Sequence, residues 1–385
     1  MRLFVMMTLV FSTFLLAEEN KFPLCVYMAN YTSPDNLAEA ARQGFNIVRP
    51  ATEPYSSFPN DPEYIRRFLD KAHRCNLKVI FPFDFKDKKG KWKELRNKPE
   101  KMLAALWKEP EFQKEYCKEL RETILRFKDH PAVYAWDLQD ELNSFIAPGE
   151  AAPFLAAISE ADGSHPVILS LYLYQKGFKT EPGMNNHIAS VKEWAPLVDI
   201  LSYDSYPHAN AGCSLDHVNL TTRTVANTVL PGCCGHAIKA FAGAMDIRAP
   251  DSHDVRYMCY ASIVNGVRIL FFFHFQPSLE AMRVYETVIR EINELSPFLV
   301  NGKTISSQSR GAVSVLHKTY GGKQYFFTVN NTADKQQFEL DADVRELSVL
   351  FEGRKLMTEN GKINDTIEPY GVHVYAGRVA TGVNE

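Results

Sequence analysis

The sequence predicts an α/β protein, a (β/α)8 TIM barrel followed by a small antiparallel β-sandwich domain. Three observations carry this prediction. The chain has 385 residues, enough for a barrel of roughly 250 residues and a modest second domain. From Phe22 to about Phe298, short β-branched or aromatic runs alternate with longer stretches of helical period, the mark of repeated βα units. Beyond Pro297 the texture changes to short alternating segments such as QYFFTVNN and VHVYAGRV, broken by Gly-Gly, Asn-Asn and Asn-Gly turns. A doubly wound open sheet is the rival arrangement, but its usual Gly-rich phosphate turn is absent after the first strand.

The chain begins MRLFVMMTLVFSTFLLAEEN, where Arg2 precedes an uncharged apolar run that ends near Ala17 and meets Glu18 and Glu19. That pattern predicts a signal peptide over 1–17, and the run is shorter than the roughly 20 residues of a spanning helix. With Glu18 rather than a cysteine at the expected cleavage site, the mature protein is expected to be secreted or periplasmic, without a lipid or membrane anchor. The barrel is assigned to 18–300 and the β-domain to 301–385, with the boundary near Val300 to Ser307.

Eight strands are expected in order: Pro23 to Met28, Phe45 to Arg49, Lys78 to Phe83, Val133 to Gln139, Val167 to Leu173, Ile200 to Tyr203, Ala237 to Phe241, and Arg268 to Phe273. Several are almost wholly apolar, as parallel strands buried on both faces should be. The intervening helices are expected over Pro34 to Gln43, Glu63 to Cys75, Glu111 to Phe127, Ala151 to Glu160, His187 to Trp194, Leu215 to Thr228, Ser252 to Val264, and Ser278 to Leu295. Ser33-Pro34, Asp61-Pro62 and Pro277-Ser278 supply helix-start chemistry.

Hydrophobic residues at 45%, aromatics at 12% and a formal charge of -3 describe an ordinary globular chain. Without a basic excess, nucleic acid is not an expected partner. Seven cysteines are scattered, with no C-x-x-C pair to hold a metal; Cys213 with Cys233 or Cys234 is the one bridge the spacing suggests. N-x-T sequons begin at Asn30, Asn219, Asn330 and Asn364. No metal or organic cofactor is implied.

Active sites of such barrels lie at the C-terminal ends of the strands, so the polar residues closing each run are the ones to inspect. They are Arg49 and Glu53, Asp84, Asp140 and Glu141, Tyr172 and Tyr174, Asp204 and Tyr206, and His274. Sugar rings lie on aromatic faces and hydrogen-bond to carboxylates, so a rim of acids and aromatics predicts a carbohydrate partner. The strongest segment is HPAVYAWDLQDELN, from His130 to Asn143, in which an apolar strand runs into adjacent acids. A glycosidic bond breaks when a carboxylic acid protonates the leaving oxygen while a second carboxylate supports the anomeric carbon or activates water. Glu141 is the expected acid, Asp204 and Asp140 its carboxylate partners, and Arg49, Asp84, Tyr172, Tyr174, Tyr206 and His274 the substrate-binding set. By strand alternation Trp136 points to the helices, and Asp140 would too unless the strand ends or bulges before it.

The W-x-x-x-D-E stretch from Trp136 to Glu141 resembles the W-x-x-x-N-E stretch of the clan A glycoside hydrolases. The resemblance implies that Glu141 is the acid/base residue and that Arg49, in FNIVRP, sits beside the nucleophile. The stretch AFAGAMDIRAPDSHDVRYMCYASIVNGVRILFFFHF, from Ala240 to Phe275, resembles the last two βα units of secreted glycosidase-like barrels. One departure stands out, because retaining members of that clan carry a nucleophilic glutamate at the end of strand seven. No carboxylate occurs from His236 to Met245, and Asp246 follows only in the loop. Asp204 is therefore the leading candidate for general base in an inverting attack. The adjacent Asp140 and Glu141 also resemble the pair in N-acetylhexosaminidases that use the substrate's own acetamido group. A non-catalytic carbohydrate-binding barrel is the remaining alternative.

Overall fold

The computed structural model describes residues 20–28, 32–51, 61–83, 105–144, 146–173, 181–209, 213–228, 234–239, 249–276 and 279–378. The expected signal peptide, Asn30, Glu53, Asp84, Tyr174, Cys233, Asp246 and the Pro277-Ser278 helix start lie outside the described residues, as do the side chains of His187 and Cys234.

Eight parallel strands close a barrel in sequence order. They are β1 (Leu24–Tyr27), β2 (Ile47–Arg49), β3 (Lys78–Pro82), β4 (Val133–Asp137), β5 (Val167–Tyr172), β6 (Ile200–Asp204), β7 (Cys234–Lys239) and β8 (Ile269–Phe273). Closure is made by β8 pairing back on β1, with Leu24 opposite Leu270 and Val26 opposite Phe272. Alternate residues fill the interior: Cys25, Ile47, Ile80, Ala135, Ile168, Ile200, Ile269 and Phe271 form one buried cluster. Their neighbours in sequence, such as Val26, Val48, Trp136 and Leu201, face the helices.

The helices are α1 (Leu37–Arg42), α2 (Pro62–Arg74), α3 (Pro110–Phe127), α4 (Pro148–Ala161), α5 (Glu181–Trp194), α6 (Asp216–Thr228), α7 (Ser252–Val264) and α8 (Leu279–Asn301). The expected start signals operate. Ser33 caps the 3-10 turn Pro34–Asn36 that leads into α1, and the Asp61 carboxylate accepts from the Glu63 and Tyr64 amides ahead of Pro62. Along α2 the residues Ile65, Phe68, Leu69 and Ala72 are buried, a single stripe at helical spacing. Helix α7 differs: Asp254, Val255 and every residue from Tyr257 to Val264 are buried. A helix buried all round is covered on both sides, here by the barrel and by the second domain.

Several boundaries depart from expectation, among them the start of α5, at Glu181 rather than His187, and of α4, at Pro148 rather than Ala151. Strand β7 spans Cys234–Lys239, three residues earlier than the apolar run Ala237 to Phe241 suggested, because His236 and Ala237 pair with Leu270 and Phe271 of β8. Helix α8 continues past Leu295 through Pro297 to Asn301, with Ile292, Leu295 and Leu299 buried on one face.

The second domain is an antiparallel sheet of six strands in the order β14-β13-β16-β11-β10-β9, faced by a two-stranded β12-β15 ribbon. The strands are β9 (Lys303–Arg310), β10 (Val313–Tyr320), β11 (Lys323–Asn330), β12 (Gln336–Asp341), β13 (Glu346–Val349), β14 (Arg354–Met357), β15 (Lys362–Ile367) and β16 (Val372–Arg378). One face of the sheet, including Val315, Phe326 and Tyr375, packs with Leu340 and Ile363 of the ribbon. The other, including Tyr325, Phe327, Val329, Val372 and Val374, belongs to the same core cluster as the barrel helices. Polar bonds join the two parts: the Tyr257 hydroxyl donates to Asn331 at 3.1 Å, Lys318 Nζ to the Leu299 carbonyl at 2.7 Å, and the Ser307 hydroxyl to the Val264 carbonyl at 2.8 Å. Of the sequons, Asn219 and Asn330 are buried, whereas Asn364 stands exposed on β15. No helix among the described residues is long and apolar enough to cross a membrane.

Candidate active site

Above the apolar barrel layer, the next inward residues toward the strand ends are polar. Tyr27 and Arg49 are register partners on β1 and β2, and Pro82 sits opposite Asp137 between β3 and β4. Arg49 Nε donates to Asp137 Oδ2 at 2.5 Å, with both side chains buried. The guanidinium carbon lies 4.9 Å from the Tyr27 ring centroid, and the Tyr27 and Ser170 hydroxyls are hydrogen-bonded at 3.0 Å. Burial is the main reason the Tyr27 phenol and Cys25 thiol are pushed well above their ordinary values. Arg49 therefore spends its charge on Asp137, a residue passed over in the sequence because it sits within the strand. Period-two alternation from Ala135 would have found it.

The acids stand one level higher. Strand β4 ends at Asp137, so Leu138 to Glu141 are released from alternation, and Asp140 reaches the field of Tyr27, Asp204 and Tyr206 rather than the helices. Glu141 has φ 49°, a left-handed backbone that side chains other than Gly, Asn and Asp seldom adopt. What holds it is the following turn. Asn143 donates to the Tyr172 carbonyl at 2.9 Å and accepts from the Tyr172 amide at 2.8 Å, while Leu142 is fully buried. This reciprocal clamp fixes the acid-bearing turn to the end of β5. Asn143 carries no charge and closes no strand, which is why sequence reading missed it.

Asp204 ends β6, opposite Tyr172, and is 7% exposed. Burial pushes Asp204 well above the carboxylate range, and the charges of Asp140 and Glu141 and a hydrogen bond with Glu141 push it further, against Arg49. Tyr206 is half-buried at the same mouth, and its phenol is raised by desolvation first and then by Asp204.

The remaining expected residues divide. Tyr172 is half-buried and engages Asn143 through its backbone; His274 follows the cis Phe273-His274 peptide, its ring 4.9 Å from that of Phe273. Trp136 is fully buried on the helix side and donates to Asp162 Oδ2 at 2.9 Å, as alternation predicts. Behind the rim, His208 Nε2 lies 3.1 Å from Asp254 Oδ2, tying the segment after β6 to the first turn of α7. Among the described residues, Asp251, His253 and Asp254 are the group spaced to hold a metal ion. Two of them serve as a helix cap: Asp251 accepts from the Asp254 amide and Asp254 from the Asp251 amide.

No family model matches the chain, and no curated protein matches it by sequence. Solved structures match it closely in shape. A GH42 beta-galactosidase from G. stearothermophilus superposes with a TM-score of 0.67 at 9% identity, covering 94% of this chain and 99% of that one. The fold is that of glycoside hydrolase TIM barrels. A beta-galactosidase from Bacillus circulans sp. alkalophilus gives a TM-score of 0.65 at 8% identity over 94% of this chain and 100% of its own. An alpha-amylase from Geobacillus thermoleovorans, solved with acarbose, gives 0.60 at 12% identity over 94% and 99%.

Proposed function

We propose that this protein hydrolyses glycosidic bonds in an oligo- or polysaccharide, with Glu141 as the general acid. The observation that carries the reading is the gathering of Glu141, Asp204 and Asp140 at the mouth of the barrel, with Asp204 buried at the end of β6 and Glu141 set by the left-handed turn after β4. Cleavage needs an acid for the leaving oxygen and a second carboxylate on the other side of the anomeric centre. Asp204 is that second carboxylate, the base of an inverting attack. Asp140 is the remaining acid of the rim. Its carboxylate faces the developing positive charge at the anomeric carbon or orients a 2-acetamido group that attacks in its place. Arg49, ion-paired with Asp137, lies beneath these acids and lowers the Asp204 pKa against the other contributions. Tyr172, Tyr206 and His274 form the apolar and hydrogen-bonding wall for the sugar.

One observation favours a second reading, a barrel that binds glycan without cleaving it: the chain has no carboxylate from His236 to Met245, around the end of β7. Product release from a glycan panel that includes acetamido sugars, by the parent and by Glu141→Gln, decides between them. Hydrolysis predicts turnover by the parent and a loss of at least about a hundredfold in the variant, with glycan retention unchanged. Retention without product from either protein would leave the binding reading. Turnover confined to acetamido sugars would assign Asp140 the orienting role.

A further inference from the structure

A second cavity, of about 300 Å³, lies between the barrel and the β-domain, away from the strand ends. Its walls come from the first turns of α7 (His253, Arg256), from the β13–β14 turn (Phe351, Glu352) and from the approach to β16 (Tyr370, His373). Among the described residues, five other than glycine have left-handed backbones: Asn76, Glu141, Phe351, Asn360 and Tyr370. Asparagine tolerates that conformation, but a bulky ring pays roughly 1–2 kcal/mol for it. Of the three that do not suit it, Glu141 lies in the candidate active site, and Phe351 and Tyr370 both line this cavity.

The chemistry of the walls narrows the ligand. Phe351 is 39% exposed, an aromatic face open to the cavity side of the turn. Tyr370 stands edge-on against Tyr257, with ring centroids 5.1 Å apart. Arg256 is held rigid: Nε donates to both Glu291 oxygens at 2.8 and 3.1 Å, and Nη1 donates to the Val372 carbonyl at 2.9 Å. Glu352 pairs with Arg354 at 2.7 Å and hydrogen-bonds His373. Glu368, the remaining acid of the walls, pairs with Lys335 at 2.6 Å, so each acid here already has a base, which disfavours a strongly charged ligand. A purely apolar ligand would strip water from these polar groups without replacing its hydrogen bonds. A ring with one apolar face and an edge of hydroxyls satisfies both demands.

We propose that this cavity is a second carbohydrate-binding site, sized for roughly one or two neutral sugar rings stacked on Phe351 and Tyr370. It stands whether or not the barrel mouth is catalytic. The first turn of α7 links the two places, since Asp254 beside His253 holds His208 behind the rim.

The test uses the full chain in a Glu141→Gln background, so that no probe is consumed. Maltotriose, xylotriose and chitotriose are titrated by calorimetry and by saturation-transfer NMR against that protein and against versions also carrying Phe351→Gly or Tyr370→Asn. Both replacements suit a left-handed backbone, so the melting temperature should hold or rise. At least one trisaccharide is expected to bind, with affinity falling about tenfold or more in each cavity variant. Binding at the barrel mouth survives in all three proteins and is subtracted. Unchanged affinity in both cavity variants, or no binding of any trisaccharide, would overturn the site. Turnover by the parent is measured separately and bears only on the barrel.

Discussion

Asp204 carries the sharpest residue-scale consequence, because its raised carboxyl binds a proton more tightly folded than unfolded. From its ordinary value of 3.8 up to the raised one, the folded state holds more protons, so stability declines as pH rises. Asp162 runs the opposite way. Burial alone would raise it, but hydrogen bonds from Ser164, Trp136 and His165 prevail and hold it at about 2, so its contribution is lost as pH falls from 3.8 toward that value. The two windows do not overlap, and Asp204→Asn should raise the melting temperature at pH 8 by on the order of 3 °C and less at pH 5. Equal shifts at both pH values would remove Asp204 as a titrating group. Arg49 and Asp137 make the opposite kind of pair, a buried ion pair 2.5 Å apart. Arg49→Met removes the cation from that pair and should cost about 3–5 kcal/mol in urea unfolding. Glu141, Asp204 and Arg49 were legible in the sequence because each closes an apolar run. Asp137 was legible only as the strand face opposite Trp136, and Tyr27 and Ser170 were not, because they sit inside apolar runs rather than closing them.

At the scale of elements, the turn from β4 to β5 decides where the acids point. The end of β4 at Asp137 frees Asp140 from strand alternation, and the Asn143 clamp on Tyr172 fixes the left-handed Glu141. Asn143→Ala removes both bonds of the clamp while leaving Glu141 and Asp204 in place. If Glu141 is the acid, kcat should fall by about a hundredfold with KM nearly unchanged, and Asn143→Asp should recover less than half of the loss because it keeps only the acceptor. A proportional rise in KM instead would make Asn143 a substrate contact. Strands and helices were largely readable from period and capping residues, as Asp61-Pro62 and the α2 stripe illustrate. The start of β7 was not, since CGHAIK is less apolar than the run that follows it and only pairing with β8 sets its register. The all-round burial of α7 was equally hidden: its sequence shows no single stripe because two partners cover it.

Across the whole molecule, the β-domain completes the barrel's core rather than hanging from it. Leu316, Tyr325, Phe327, Val329, Val372 and Val374 share one buried cluster with the barrel helices, and Phe298 stacks on Tyr325 with centroids 4.2 Å apart. At roughly 2 kcal/mol per buried side chain, that shared face contributes on the order of 10 kcal/mol, comparable to the whole stability of an ordinary domain. Two parts joined so strongly should not melt separately. Calorimetry of residues 20–385 should show one heat-absorption peak whose calorimetric and van't Hoff enthalpies agree. A chain ended after Asn301 should lose that cooperative peak and bind a hydrophobic dye, because the outer face of α7 would meet water. Two resolved peaks in the full chain, or a truncated barrel that melts sharply on its own, would mean that α7 is held by the barrel alone. The second cavity would then lie across a mobile joint instead of inside one core, and Phe351 and Tyr370 could not hold a sugar ring against a fixed Arg256.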